Sequence, residues 1–354
     1  APPDLWCALW VSHSRNVGVG WAVPTRWRHN VEVPTERVPP SPSRVARVRS
    51  TLAYAVVALC VVLGLAACAG THDAAPPPVP VAPAGLRIQR IDYPVPHADP
   101  TQNWMDLYLP DHQHLGRIPL VILIHGGGWG KTIGAGSFNV FAATVADRGV
   151  AVLNVEYRRV GSGGGWPTTF SDVAAAVNDI PVVARDYPII DARRSVVVGH
   201  SAGAQLAVWT ATRDYRSVDA LGVPVRYRPA VAMSIAGPLD MRRAAALGDR
   251  NVVRVLGGPP QRVPRRYSAV DPIQNLDPQV PVIGLVGSLD TTVPAILTQD
   301  YVTADTAVGG NARLIVFAGQ THSSIVSPSS RTFDRLVDEI VAAVGLTAPA
   351  HDDR

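Results

Sequence analysis

Gly199-His200-Ser201-Ala202-Gly203 places a serine between two glycines, at the spacing that a nucleophile on a sharp strand-to-helix turn requires. The backbone at such a turn is strained, and a Cβ on either flanking glycine would meet the neighbouring strand or helix. Ser201 is therefore the candidate nucleophile. A serine hydroxyl attacks poorly unless a base lies within hydrogen-bond reach, and the base needs a carboxylate to fix its tautomer and stabilise the imidazolium. Two downstream residues fit those roles: Asp290, closing Gly287-Ser288-Leu289-Asp290, and His322, closing Ala318-Gly319-Gln320-Thr321-His322. Upstream, His125-Gly126-Gly127-Gly128-Trp129 offers successive glycines whose N–H groups can turn into a cavity, as an oxyanion hole needs. Attack by Ser201 on an acyl carbon would send negative charge to the N–H groups of Gly127 and Ala202, with Gly126 or Gly128 as a third donor. Trp129 is expected to line the substrate pocket.

Competing residues are weaker candidates. His200 is next to the nucleophile, but adjacency at a tight turn aims its side chain away from Ser201, which favours packing over catalysis. Asp271, Asp277 and Asp300 are alternative acids, yet only Asp290 stands at the end of an apolar run, Val282-Ile283-Gly284-Leu285-Val286. Downstream of Ser201, the only other histidine besides His322 is His351 in the tail.

These residues need a scaffold, and the hydrophobic pattern supplies one. Buried strands are expected at Val121–Ile124, Ser195–Val198, Val282–Val286 and Leu314–Phe317, each running into one of the chemical segments. Further strands are expected at Leu86–Pro94, Trp104–Leu109, Val150–Tyr157 and Ala230–Ile235. Helices are expected at Ser137–Asp147, Thr169–Arg185, Ala204–Thr212, Pro294–Thr306 and Ser329–Val344. Alternation at short spacing implies an α/β class, with a mostly parallel central sheet and helices on both faces. The Arg-, Gly- and Pro-rich stretch Gly237–Asp271 interrupts the alternation and is the room available for a small cap.

From about Leu86 to about Val344 the chain resembles the α/β-hydrolases, in the bacterial esterase/lipase branch near the hormone-sensitive-lipase-like and feruloyl-esterase-like members. The segments that carry the resemblance are Met105-Asp106-Leu107-Tyr108-Leu109-Pro110, the His125–Trp129 run and Glu156-Tyr157-Arg158-Arg159 with Trp166-Pro167 and Asp172-Val173. The Ser201 turn and Asp290-Thr291-Thr292-Val293-Pro294 with His322 complete them. The resemblance implies an α/β-hydrolase fold, a Ser201–Asp290–His322 triad and a His125 that braces the glycine loop. It implies serine hydrolysis of small-molecule carboxylic esters through an acyl-enzyme, with no cofactor and no metal. The Thr-His setting of His322 departs from the Gly-His pairing frequent in the family. The helical N-terminal cap of hormone-sensitive-lipase-like enzymes has no counterpart before the glycine loop, so a shallow site for short acyl groups is expected. The rival enzymatic reading is an arylformamidase-like amide or formamide hydrolase, since that branch shares a His-Gly-Gly-x-Trp loop and triad. A non-catalytic binding module on the same fold is the alternative from another class.

Composition fits one catalytic domain behind a leader. The 354 residues are 47% hydrophobic, with 30 glycines and 32 prolines. The net charge of +4 is already accounted for by residues 1–50, which hold seven arginines against three acids. The remainder is balanced, and nucleic-acid binding has little support. Arg242, Arg243, Arg250, Arg254, Arg262, Arg265 and Arg266 form a local group, taken here as the solvated face of short cap helices rather than a site for anionic substrate or lipid headgroups.

Arg44, Arg47 and Arg49 precede Leu52–Leu65, an apolar run of signal-peptide length, and Leu65-Ala66-Ala67-Cys68 matches the bacterial lipobox. The expected organisation is a disordered or misassigned extension at 1–43, with a true start near Val45 or Val48, and a lipoprotein signal peptide at 44–67. A Pro/Ala-rich tether at 68–85, the catalytic domain at 86–346 and a tail at 347–354 follow. Lipidation at Cys68 would anchor the protein on the extracytoplasmic face of the cell membrane. The other cysteines, Cys7 and Cys60, lie upstream, so the catalytic domain has neither disulfides nor cysteine metal sites.

Overall fold

The structure, a computed structural model, describes residues 75–111, 116–214 and 221–345. The expected extension, signal peptide and lipidation site at Cys68, and the expected tail, lie outside the described residues. Eight strands form one sheet: β1 (Leu86–Asp92), β2 (Trp104–Pro110), β3 (Ile118–Ile124), β4 (Ala151–Val155), β5 (Ile190–His200), β6 (Val231–Ile235), β7 (Val282–Gly287) and β8 (Arg313–Phe317). Their order is β1-β2-β4-β3-β5-β6-β7-β8, and β2 alone runs against the others. This is the mostly parallel sheet expected of the α/β-hydrolase fold. Central parallel strands are covered on both faces, which is why β3 and the C-terminal half of β5 are continuous apolar runs rather than alternating ones.

Successive side chains of a strand point to opposite faces, and the core divides accordingly. Ile122 and Ile124 pack with Val197 under α2 (Thr168–Asn178), α3 (Ile180–Asp186), α4 (Ala202–Thr212) and α8 (Ile296–Ala307). Val121 and Leu123 pack with Val196 and Val198 under α1 (Asn139–Ala146) and α9 (Phe333–Ala343). Every residue of α4 is buried, which explains its Ala/Gly-rich sequence: a helix packed between the sheet and neighbouring elements has no side left to face solvent.

The single helix expected over 169–185 is two helices that break at Asp179. Pro181 lacks an N–H to continue the first helix but fits the first turn of the next. The strand before Ser201 begins at Ile190, earlier than expected, and the last helix begins at Phe333 rather than Ser329. The cap segment folds as three short helices, α5 (Met241–Ala246), α6 (Arg250–Leu256) and α7 (Pro264–Val270). The side chains of Asp240 and Asp249 accept N–H groups at the starts of α5 and α6. Buried Asp271 binds the start of α5 through the Met241 N–H at 2.8 Å, so a residue weighed above as a catalytic acid is a brace for the cap.

From Pro77 the proline-rich segment lies against the domain. Arg90 donates to the Pro77 carbonyl, and Pro80, Val81 and Pro83 line a groove beside α1. Among the described residues no helix is long and apolar enough to cross a membrane.

Candidate active site

Ser201 joins β5 to α4 with φ 56° and ψ −123°, a conformation a side chain adopts only when its surroundings over-determine it. The surroundings are the flanking glycines. A Cβ on Gly199 would lie 2.0 Å from the Gly203 carbonyl oxygen, and one on Gly203 would lie 2.1 Å from that of Ile124. Strand, turn and helix therefore touch backbone to backbone, and the Ser201 N–H donates to the Ile235 carbonyl at 2.8 Å.

The structure brings together three residues spread over 121 positions of the sequence. Ser201 Oγ is 2.9 Å from His322 Nε2, and His322 Nδ1 is 2.8 Å from Asp290 Oδ2. An ionised Asp290 only accepts, so Nδ1 carries the hydrogen and Nε2 is left to accept from the serine hydroxyl. The other carboxylate oxygen of Asp290 accepts the N–H groups of Thr292 and Val293 at 2.8 and 2.9 Å. Burial alone would raise the Asp290 carboxyl. The His322 hydrogen bond and these backbone donors outweigh burial and hold it below the usual carboxylate range. The competing acids are engaged elsewhere, Asp277 with Arg228 and Asp300 with Arg243.

The loop that carries His322 is fixed on both sides. The Leu289 N–H donates to the Gln320 carbonyl at 2.9 Å, and the Gly319 N–H to Ser288 Oγ at 2.8 Å. Thr321, where the family often has glycine, closes the turn through its N–H to Ser324 Oγ at 2.8 Å. The departure noted in the sequence is thus accommodated by a local hydrogen bond.

Gly126, Gly127, Gly128 and Ala202 line the same cavity of about 820 Å³ as Ser201 and His322. Gly127, Gly128 and Trp129 take φ of +103°, +60° and +53°, a left-handed run that two glycines make possible. The N–H groups of Gly127, Gly128 and Ala202 donate to no acceptor among the described residues. Trp129 also lines the cavity, but it is only 1% exposed and belongs chiefly to the core.

Beneath the loop, His125 Nε2 is 3.0 Å from Glu156 Oε1, and its ring stacks on Tyr157 with centroids 4.4 Å apart. The Tyr157 hydroxyl donates to the His125 carbonyl at 2.9 Å, and Glu156 accepts the Ala135 N–H at 2.9 Å. Burial would raise the Glu156 carboxyl, but His125 and its other donors hold it below its ordinary value. Arg158 in turn chelates Asp172, at 2.6 and 2.8 Å. The Glu156-Tyr157-Arg158-Arg159 segment is therefore the foundation of the glycine loop, and His125 is a brace, as the resemblance implied.

His200 packs, but against the site itself. Its Nε2–H donates to the His322 carbonyl at 2.8 Å, and the two imidazoles lie 4.7 Å apart. Burial, and next the charge of His322, push His200 down from 6.5 to about 4. The unfolded chain binds that proton below 6.5 while the folded protein refuses it until about 4, so stability is lost as pH falls through this window. We expect His200→Gln to keep a donor to the carbonyl and to flatten the fall in urea midpoint between those pH values. A slope as steep as that of the parent would exclude His200 as its source.

The arrangement can generate a serine nucleophile, accept its proton and hold an oxyanion. Sequence reasoning named the three residues that the structure joins in one relay. It missed His200 as the support of His322, and it missed Arg250 and Asn251, which line the cavity from the cap. Adjacency to Ser201 and membership of the arginine group were the signals available.

The model of the BD-FAE family matches residues 105–303, more than half of the chain. The isoprenylcysteine alpha-carbonyl methylesterase ICME of Arabidopsis thaliana is 26% identical over 267 residues, covering 70% of this chain and 60% of the plant protein. A bacterial heroin esterase is 25% identical with a TM-score of 0.60, covering 75% of this chain and 86% of the other. Esterase B from Lactobacillus rhamnosis, 17% identical, has a TM-score of 0.61 over 85% of this chain and 96% of the other. The chain thus spans less than two thirds of the length of the plant methylesterase.

Proposed function

Because this chain belongs to the BD-FAE family, we propose that it is a serine esterase, cleaving small-molecule carboxylic esters through an acyl-enzyme on Ser201. One observation carries the reading: the unbroken relay from Ser201 Oγ through His322 to Asp290, facing N–H groups without acceptors in one cavity. His322 takes the serine proton as Oγ attacks and returns it to the departing alcohol, and water then repeats the sequence on the acyl-enzyme. The N–H groups of Gly127, Gly128 and Ala202 receive the oxyanion, each such donor being worth roughly 2.7–4 kcal/mol of transition-state stabilisation.

The cavity favours short acyl groups. Its apolar wall is made of Ile133, Phe138 and Val326 together with Val293, Leu297 and the short cap side chains Ala244 and Leu247. Each methylene contributes about 0.8 kcal/mol only while there is wall to cover it. Across a 4-nitrophenyl ester series, kcat/KM should peak between acetyl and hexanoyl and fall well before palmitoyl. A palmitoyl optimum would contradict the reading of the cavity. Faster turnover of N-formyl aromatic amines than of any ester would instead select the arylformamidase-like activity.

The enzyme's place is part of the same proposal. The arginine-flanked apolar run and the lipobox ending in Cys68 support a lipid anchor, with the proline-rich segment as the connection to the domain. Cys68→Ser should move the protein from the membrane to the soluble fraction and abolish incorporation of labelled fatty acid. Full retention of the variant in membranes would refute the anchor.

A further inference from the structure

Seven arginines lie between positions 242 and 266. Four of them are engaged. Arg243 pairs with Asp300, Arg242 donates to the Pro264 carbonyl, Arg266 to the Leu256 carbonyl, and Arg254 to Asn251 Oδ1 at 2.9 Å. Arg250 alone of the seven lines the cavity that holds Ser201. Its guanidinium has no hydrogen bond or ion pair among the described residues. An exposed arginine is ordinarily just solvated; the solvent around Arg250 is that of the site.

Its neighbours determine what it could bind. The Asp249 carboxylate, which also lines the cavity, accepts the N–H groups of Asn251 and Val252 through Oδ1 alone, at 2.8 and 3.3 Å, which holds it at the start of α6. Asn251 lies directly on the glycine loop, since a Cβ on Gly128 would be 3.1 Å from its Cγ and Nδ2. With Oδ1 taken by Arg254, the Asn251 amide offers the cavity its Nδ2–H groups, which have no acceptor among the described residues. The other carboxylates near the loop and triad are occupied, Glu156 by His125 and Asp290 by His322. Among the described residues, the wall beside the glycine loop therefore presents unpartnered donors from two side chains, Arg250 and Asn251, next to one carboxylate whose Oδ1 is engaged and whose Oδ2 is not. A group that only accepts and carries negative charge is the complement of those two donors, and the planar guanidinium fork matches a carboxylate edge.

We propose that Arg250, with Asn251, forms a subsite for a carboxylate carried by the ester substrate. This rests on the esterase reading above and adds a substrate class to it: short esters with an anionic group on the acyl or the alcohol side.

Two isosteric pairs separate charge from shape. For the acyl side these are 4-nitrophenyl hydrogen succinate and 4-nitrophenyl 4-methylpentanoate. For the alcohol side they are 4-acetoxybenzoate and 4-isopropylphenyl acetate. The readout is the ratio of kcat/KM for the anionic over the neutral member, which cancels any general loss of activity. Arg250→Gln should lower that ratio about tenfold in at least one pair, as expected for one charge-assisted contact. Arg250→Lys should fall between the two, keeping the charge and losing the fork, and Arg265→Gln, away from the cavity, should match the wild type. Raising salt to about 1 M, where the screening length is only about 3 Å, should move the wild-type ratio toward that of Arg250→Gln. Ratios that Arg250→Gln leaves unchanged in both pairs would overturn the subsite while the esterase reading stood, as would an equal fall in Arg265→Gln. Failure of the wild type to cleave any of the four esters would overturn the esterase reading, and this inference with it.

Discussion

Ser201→Ala is expected to reduce kcat/KM for a short-chain ester by roughly 10⁵–10⁶-fold while leaving the fold intact. The size follows from the relay: His322 and Asp290 act only through the Ser201 hydroxyl, so removing it disables all three at once. What remains is catalysis by the N–H groups that line the cavity, which can still polarise a carbonyl toward water. Stability should change little. Alanine keeps the Cβ that the backbone at φ 56° already accommodates, and the Ser201 N–H bond to Ile235 is untouched. Paired measurements of ester turnover and urea midpoint check both halves. Turnover within an order of magnitude of the parent would remove Ser201 from the chemistry.

Asp290→Asn should lower turnover by about 10⁴-fold with the geometry preserved. The amide is nearly isosteric, and its oxygen can still accept the Thr292 and Val293 N–H groups that now bind Oδ1. Its NH₂ would then face His322 Nδ1, where the carboxylate now accepts at 2.8 Å. Nδ1 must become the acceptor, the hydrogen moves to Nε2, and Nε2 can no longer take the serine proton. The control is Asp277→Asn. It breaks the ion pair with Arg228, remote from the His322 relay, and should cost stability without a comparable loss of turnover. The reverse ranking of the two variants would show that the acid lies elsewhere.

The parts of this site that could be read from the sequence are those fixed by backbone constraint. The glycines around Ser201 are dictated by contacts of about 2 Å between strand, turn and helix, and no other residue type satisfies them. Asp290 was legible for a related reason: in a parallel sheet the site lies past the C-terminal ends of the strands, and of the four downstream acids weighed only Asp290 follows an apolar run. What the sequence concealed depends on side chains meeting across the fold. The contact between His200 and the His322 carbonyl spans 122 positions, and no local pattern encodes it. The arginine group looked uniform because composition does not reveal partners. Only the docking of α6 on the glycine loop separates Arg250, facing the cavity, from Arg243, paired with Asp300 on α8, and Arg242, engaged within the cap. The break at Asp179 was missed for the opposite reason, since Pro181 was present but the apolar periodicity runs through it.

The central claim is that the activated nucleophile is Ser201. Incubation with a fluorophosphonate, proteolysis and mass spectrometry of the labelled peptide test it directly, because phosphonylation requires the same base and oxyanion donors as acylation. The account expects one adduct per chain, on Ser201, lost in Ser201→Ala and strongly slowed in Asp290→Asn. An adduct on any other residue, or an esterase-active protein that remains unlabelled, would contradict it.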